Sequence, residues 1–209
     1  MIRGNSHLPS IWLADFASKA EFDARASELG AQLEVIAAID DRMLQSRHPF
    51  DIKAWCAACG TVTAMRVTWD YCGTNSMGSV HPAWTETCAC HQCGLNSRMR
   101  ALVDFLISKL TAPKETHIYI AEQITASFKV IEKLFSNVTG SEYLGPNFKP
   151  GEIAATVNNH VKIRNEDLSR LSFSDELFDI VLTQDVFEHV PDYQKTFSES
   201  ARILKRDGV

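Results

Sequence analysis

Phe178-Asp179-Ile180-Val181-Leu182-Thr183-Gln184-Asp185-Val186-Phe187-Glu188-His189-Val190-Pro191-Asp192 passes from an apolar run into acidic residues and across a proline. An amphipathic segment follows and closes on Leu204-Lys205-Arg206-Asp207-Gly208. A short apolar run bounded by polar residues reads as a buried strand, and glycine after a helical segment is a stop signal. Together they describe a strand that delivers polar groups to the open end of a parallel sheet. In such sheets ligands bind beyond the carboxyl ends of the strands.

The same alternation extends upstream. His117-Ile118-Tyr119-Ile120-Ala121 is a first strand, and Thr125 opens a helix whose Phe128, Ile131, Leu134 and Phe135 face the sheet. Residues 138–143 form a second strand, 161–163 a short third and 178–183 the fourth, with a helix over 193–204. Alternating strands and helices predict an α/β fold with a parallel sheet. Near the N-terminus, Phe22, Ala26, Leu29, Leu33, Ile36, Ile39 and Met43 mark one stripe of a long helix over 14–46. His48-Pro49 ends it, because the residue before proline leaves helical geometry. A partner-binding coiled coil is the alternative to a helix packed on its own protein. Asn96 or Ser97 caps another helix with Met99, Leu102, Val103, Leu106 and Leu110 on one face, closed by Thr111-Ala112-Pro113. The expected organisation is a helical segment at 1–52, a cysteine module at 53–97, a linking helix at 98–114 and the sheet domain at 115–209.

Net charge is −5 and no run of Lys and Arg stands out, which argues against a nucleic-acid partner. The N-terminus lacks the charged head and apolar core of a signal peptide. No apolar stretch approaches the roughly 20 residues of a membrane span. The expected compartment is the cytoplasm, where thiols stay reduced and six cysteines point toward metal.

Cys56-Ala57-Ala58-Cys59-Gly60 and Cys90-His91-Gln92-Cys93-Gly94 are two matched knuckles. Thiolates three residues apart can grip one ion, and the following glycine lets the backbone turn its amides toward the sulfurs. Two such pairs complete a tetrahedral sulfur shell suited to Zn²⁺. One pair alone would suit a redox motif. Four protein ligands leave the metal no open position, so Cys56, Cys59, Cys90 and Cys93 predict a structural ion. Cys88 and His91 are rival ligands, and Cys72 reads as a small buried residue.

The run from Phe178 through Glu188-His189-Val190-Pro191-Asp192 resembles the fourth strand and following helix of class I S-adenosylmethionine (SAM) methyltransferases of the type 11-like group. The resemblance covers about residues 115–209 and implies a Rossmann-like sheet of which the first four strands are present. It implies SAM as cofactor and a binding set of Glu122, Gln123, Thr125, Glu142, Tyr143, Asp167, Leu168 and Asp185. Glu122 takes the acidic position after the first strand, where Gln123-Ile124-Thr125 replaces the usual glycine-rich turn. Glu142 would accept the ribose hydroxyls, the alternative being a solvated loop acid. Asp167 would accept the adenine amino group, with Leu168 on the ring; the alternative for Asp167 is an N-cap. Asp185 would face the methionine end or the substrate. His189 is a base or a packing residue. An N-terminal cysteine ribbon with Glu-Gln-x-Thr and Ser-Glu-Tyr-Leu-Gly resembles a bacterial subgroup. In that company Arg98 and Arg100 are contacts to an anionic substrate or exposed helix-start arginines.

The family turns into a fifth strand where this sequence ends, at Asp207-Gly208-Val209. Val181 and Leu182 are therefore expected on an open apolar edge. Self-association through that edge, without methyl transfer by a fragment, is the expectation. The implied activity is methyl transfer to a small-molecule or saccharide-type acceptor. The alternatives are a catalytically silent, zinc-binding interaction protein and an rRNA methyltransferase.

Overall fold

The computed structural model describes residues 17–74, 78–110, 115–155 and 161–209. It divides into two compact units, Met1–Ser46 and Arg47–Val209. The first contains helix α1, Lys19–Met43. Ser18 caps it by accepting the Glu21 amide at 3.2 Å, and the Glu21 carboxylate reaches back to the Ala17 amide at 2.9 Å. The Leu44 amide returns to Asp41 O, so the helix stops before His48-Pro49. Residues 14–16 of the expected helix, and the side chains of Leu29, Leu33 and Ile36, lie outside the described residues.

The second unit begins with the hairpin β1 (Phe50–Cys56) and β2 (Thr61–Val67), paired from Phe50–Val67 to Cys56–Thr61. The hairpin turn is the first knuckle. After a minor hairpin, β3 (Gly73–Thr74) and β4 (Val80–His81), and one helical turn α2 (Trp84–Thr87), strand β5 (Ala89–Cys90) joins β2 and carries the second knuckle. Cys72 is exposed, which corrects the expectation of a buried thiol.

Helix α3, Ser97–Lys109, starts at Asn96, whose Oδ1 accepts the Met99 amide at 3.0 Å. Its expected apolar face is real: Val103 and Leu106 are fully buried, and Met99, Leu102 and Leu110 pack beside them. Thr111, Ala112 and Pro113 lie outside the described residues.

Strands β6 (His117–Ile120), β7 (Asn137–Gly140) and β10 (Ile180–Leu182) form a parallel sheet in the order β10-β6-β7. Central β6 carries Ile118 and Tyr119, both fully buried, as a strand covered on both faces requires. On one face lie α3 and α4 (Ala126–Leu134), which buries Phe128 and Ile131 while Phe135 follows at its C-cap. Leu134 is 42% exposed and does not face the sheet as expected. On the other face Tyr119, Phe173 and Phe178 stack with ring centroids about 5 Å apart, beside Ile203 of α5 (Tyr193–Ile203).

The third expected strand differs in its pairing. Lys162–Arg164 (β9) runs antiparallel to Ile153–Ala155 (β8), and the bridge Glu142–Asn165 follows it on the side of the parallel sheet. The outer edge of β10 is also not bare. Val209 N donates to Asp179 O and Val181 N donates to Val209 O, each at 2.9 Å. That is a parallel bridge position, so the Val181 amide is paired and the open-edge expectation does not hold at that residue.

Candidate functional site

The four knuckle thiols converge. Sγ atoms of Cys56, Cys59, Cys90 and Cys93 all lie within 4.8 Å of one another. Cys56–Cys93 is 3.7 Å and Cys59–Cys90 is 3.8 Å. Tetrahedral zinc with Zn–S bonds of about 2.3 Å has S–S edges of about 3.8 Å, so the donor set fits that ion. Gly60 and Gly94 both take positive φ, 64° and 76°, the conformation their positions after each pair call for. Burial works against ionising Cys90, yet amides of Cys93 and Gln92 bring its thiol down to about 6. Burial and its thiol neighbours push Cys59 up. The amides favour one thiolate, and a dication would be needed to hold the rest. Cys88 and His91 are outside the cluster. The Cys88 sulfur lies 3.9 Å from Arg100 Nη2, and His91 Nε2 lies 3.2 Å from Asp51.

Beyond the carboxyl ends of β6, β7 and β10 lies a cavity of about 690 Å³, within the usual size of a small-molecule site. Glu122, Glu142, Tyr143, Asp167, Leu168 and Asp185 line it, together with His189. Gln123 and Thr125 are not in the lining. Thr125 caps α4, its Oγ1 accepting the Phe128 amide at 3.2 Å. Gln123 ties down β9: Nε2 donates to Lys162 O at 2.9 Å, and Oε1 accepts the Arg164 amide at 3.1 Å.

The absence of glycine in the first turn has a local solution. A Cβ on Gly140 would collide with the Phe128 ring and with Gln123 Cγ. The bare backbone of β7 at Gly140 thus leaves room for the Gln123 side chain. Ile124 is exposed, and its amide donates to Glu142 Oε1 at 2.8 Å. Glu142 therefore anchors the turn and also lines the cavity, and is not a merely solvated loop acid. Burial raises its carboxyl above the ordinary range.

Asp167 accepts the amide and hydroxyl of Ser169 at 2.9 and 2.7 Å, a local turn with no helix to cap. Arg98 and Arg100 are part-buried and engaged. Arg98 bridges Glu86 and Asp185, and Arg100 donates to Cys88 O at 2.6 Å and Leu95 O at 2.8 Å.

Sequence reading missed the support beneath the site. Ser141 Oγ is 2.7 Å from Tyr119 Oη, both buried. Asn165 accepts the Leu144 amide and donates to Phe148 O and Lys149 O. Glu166, 1% exposed, pairs with Arg164 Nε at 2.7 Å. Alternation along a strand puts residues 164 and 166 on one side, the signal that could have found the pair.

Burial pushes the Glu122 carboxyl up to about 7; the Gln184 amide opposes this, and Glu142 and Asp185 add to it. A raised carboxyl keeps its proton in the folded state where the unfolded chain has lost it. Its stabilising contribution is full below the ordinary value of 4.5 and is lost as pH rises through 7. Allowing for partial exposure, that loss is about 1–2 kcal/mol. Glu122→Gln should flatten this part of the stability profile in urea unfolding at stepped pH. An unchanged slope would mean that Glu122 titrates normally.

Residues 125–209 match the methyltransferase domain family. A candidate methyltransferase from Bacillus halodurans C-125, known from a crystal structure, is 19% identical with a TM-score of 0.37, over 54% of this chain and 48% of that one. This chain thus corresponds to about half the length of that protein. No curated protein matches the chain.

Proposed function

We propose, from the premise that residues 125–209 carry a methyltransferase domain, that this chain binds SAM in the cavity and serves methyl transfer to a small-molecule or saccharide-type acceptor. The supporting observation is Glu142, a partly buried carboxylate at the tip of β7 in the cavity wall. When bound, SAM supplies a methyl group on a sulfonium, and transfer needs chiefly alignment, plus a base for a protonated nucleophile.

The chain's own residues suit those tasks. A carboxylate offers about four acceptor positions, so the Ile124 amide leaves Glu142 capacity for ribose hydroxyls. Asp167 keeps capacity for the adenine amino group, with Leu168 beside it. Glu122 and Asp185 put carboxyl oxygens at the other end, where they would accept hydrogen bonds from the ammonium of the amino-acid end. His189 would accept a proton from an acceptor hydroxyl. Carboxylates around the cavity and a net charge of −5 repel polyanions, which favours a small or saccharide-type acceptor.

The metal in this reading is structural Zn²⁺ at the four cysteines, whose reduced thiols fit a cytoplasmic setting. No helix among the described residues is long and apolar enough to cross a membrane. A second reading, a silent interaction protein on a methyltransferase scaffold, draws on the Gln123-Ile124 turn, which lacks the glycines that usually approach SAM.

Isothermal titration with SAM and its product S-adenosylhomocysteine separates the two. Glu142→Ala should weaken both ligands by about 1.5–3 kcal/mol, the range for charge-assisted hydrogen bonds. Parental affinity in that variant would sink the ribose assignment, and no binding by the parent would favour the silent scaffold.

A further inference from the structure

The cysteine cluster and the cavity are joined by a short hydrogen-bonded path. Leu95, two residues past Cys93, is wholly buried in one cluster with Val103, Leu106, Ile118 and Ile120, and Cys93 packs against that cluster. Asn96 caps α3 and donates through Nδ2 to Glu86 Oε2 at 3.2 Å. In the first turn of α3, Arg98 lays Nε and Nη2 on the two oxygens of Glu86, at 2.9 and 3.1 Å. Its remaining Nη1 lies 2.7 Å from Asp185 Oδ2. Glu86 sits in α2, just ahead of Cys88 and Cys90, and Arg100 holds the carbonyls of Cys88 and Leu95. The second knuckle is therefore gripped from both sides by one turn of helix.

Asp185 is the far end of this path, and its backbone is not relaxed. It has φ of 53°, the left-handed region that residues with a Cβ adopt uncommonly. Such a conformation persists where its surroundings hold it. Two contacts do so here. The Gln184 amide donates to Glu122 Oε1 at 2.5 Å, and Arg98 holds the Asp185 carboxylate. Glu122 and Asp185 both belong to the cavity wall. A planar guanidinium can grip Glu86 with two donors and still present a third to Asp185, a geometry an ammonium cannot reproduce.

We infer that Arg98 is a positioning residue that couples the metal centre to the cavity. The ordered second knuckle fixes the Arg98 fork, the fork fixes Asp185 and the 184–185 turn, and metal and cavity ligand bind with positive cooperativity. The inference rests on the SAM reading only for the choice of cavity probe. Coupling of this kind is reciprocal in binding free energy, so occupancy of either end biases the other.

The test uses the full zinc-loaded chain and follows transfer of zinc to a chromogenic chelator. Arg98→Ala and Asp185→Ala should each speed zinc loss by about five-fold or more, the lower end of measured couplings. The double variant should be no faster than the faster single one, and Arg98→Lys should fall between parent and Arg98→Ala. This arm needs no cavity ligand. In the second arm, saturating S-adenosylhomocysteine should slow zinc loss from the parent by a similar factor and leave Arg98→Ala unaffected. Parental zinc loss from Asp185→Ala overturns the coupling, whatever the cavity binds. Additive effects of the two single variants also overturn it, since they would mean that Arg98 merely stabilises α3. Binding of S-adenosylhomocysteine with no effect on parental zinc loss does the same. If that ligand fails to bind in a separate titration, the proposed function falls, and the first arm still decides the coupling.

Discussion

Cys59→Ser is expected to be recovered without zinc and with the 53–97 region loosened. Structural zinc contributes about 10–16 kcal/mol of binding free energy to small folded modules. That matches or exceeds the whole stability of a typical domain, about 5–15 kcal/mol. The hairpin around the cluster buries only part of its apolar surface. Met65 and Val67 are fully buried and Phe50 is nearly so, while Trp55 and Val62 are 62% and 60% exposed. The damage should spread, because Ala58, Cys93 and Leu95 share one apolar cluster with Val103, Leu106, Ile118 and Ile120. Elemental analysis and thermal melts followed by circular dichroism check both halves. Cys88→Ser and His91→Ala, which alter residues outside the cluster, should keep their zinc. A Cys59→Ser protein that melts at the parental temperature, or a parent purified without chelators that carries no zinc, would contradict the structural-metal assignment.

The parts of this molecule that were legible in the sequence are those fixed by short-range rules. Ile118-Tyr119-Ile120 and Ile180-Val181-Leu182 are continuous apolar runs, and both are strands of the parallel sheet. Thr125 and Asn96 are cap residues in the sequence and in the fold. The cysteine spacing with its glycines foretold a cluster built from two turns. What was not legible depends on contacts between distant segments. Ile153-Ala154-Ala155 shows no period, and only its pairing with 162–164 makes it a strand. Gln123 reads as a ligand by resemblance, yet it fastens β9 because Gly140 leaves the room for it. Arg98 and Arg100 look like solvated helix-start charges until Glu86, Cys88 and Asp185 are brought beside them. No local pattern encodes that meeting.

Arg164→Met should destabilise the second unit by about 3–5 kcal/mol, the usual cost of leaving a buried charge without its partner. The Glu166 side chain is fully buried, and that of Arg164 is 28% exposed. Glu166 accepts Arg164 Nε at 2.7 Å, the Ser172 amide at 2.9 Å and the Ser172 hydroxyl at 2.5 Å. Arg164 also donates Nη2 to Ser172 Oγ at 2.7 Å and lies 4.5 Å over the Phe173 ring, so one side chain secures the 166–173 loop three ways. Methionine keeps much of the apolar stem and removes every one of those donors. Glu166→Leu in the same chain should restore part of the loss, because an apolar pair needs no partner charge. Glu166 also lines the cavity and directly precedes Asp167 and Leu168. Loss of the pair should therefore loosen that wall and weaken S-adenosylhomocysteine binding in the single variant more than in the double. Urea unfolding gives the first comparison and calorimetric titration the second. A single variant within about 1 kcal/mol of the parent would mean that the two serine donors suffice to hold Glu166. In that case the ion pair is not what fixes the Asp167–Leu168 wall of the cavity.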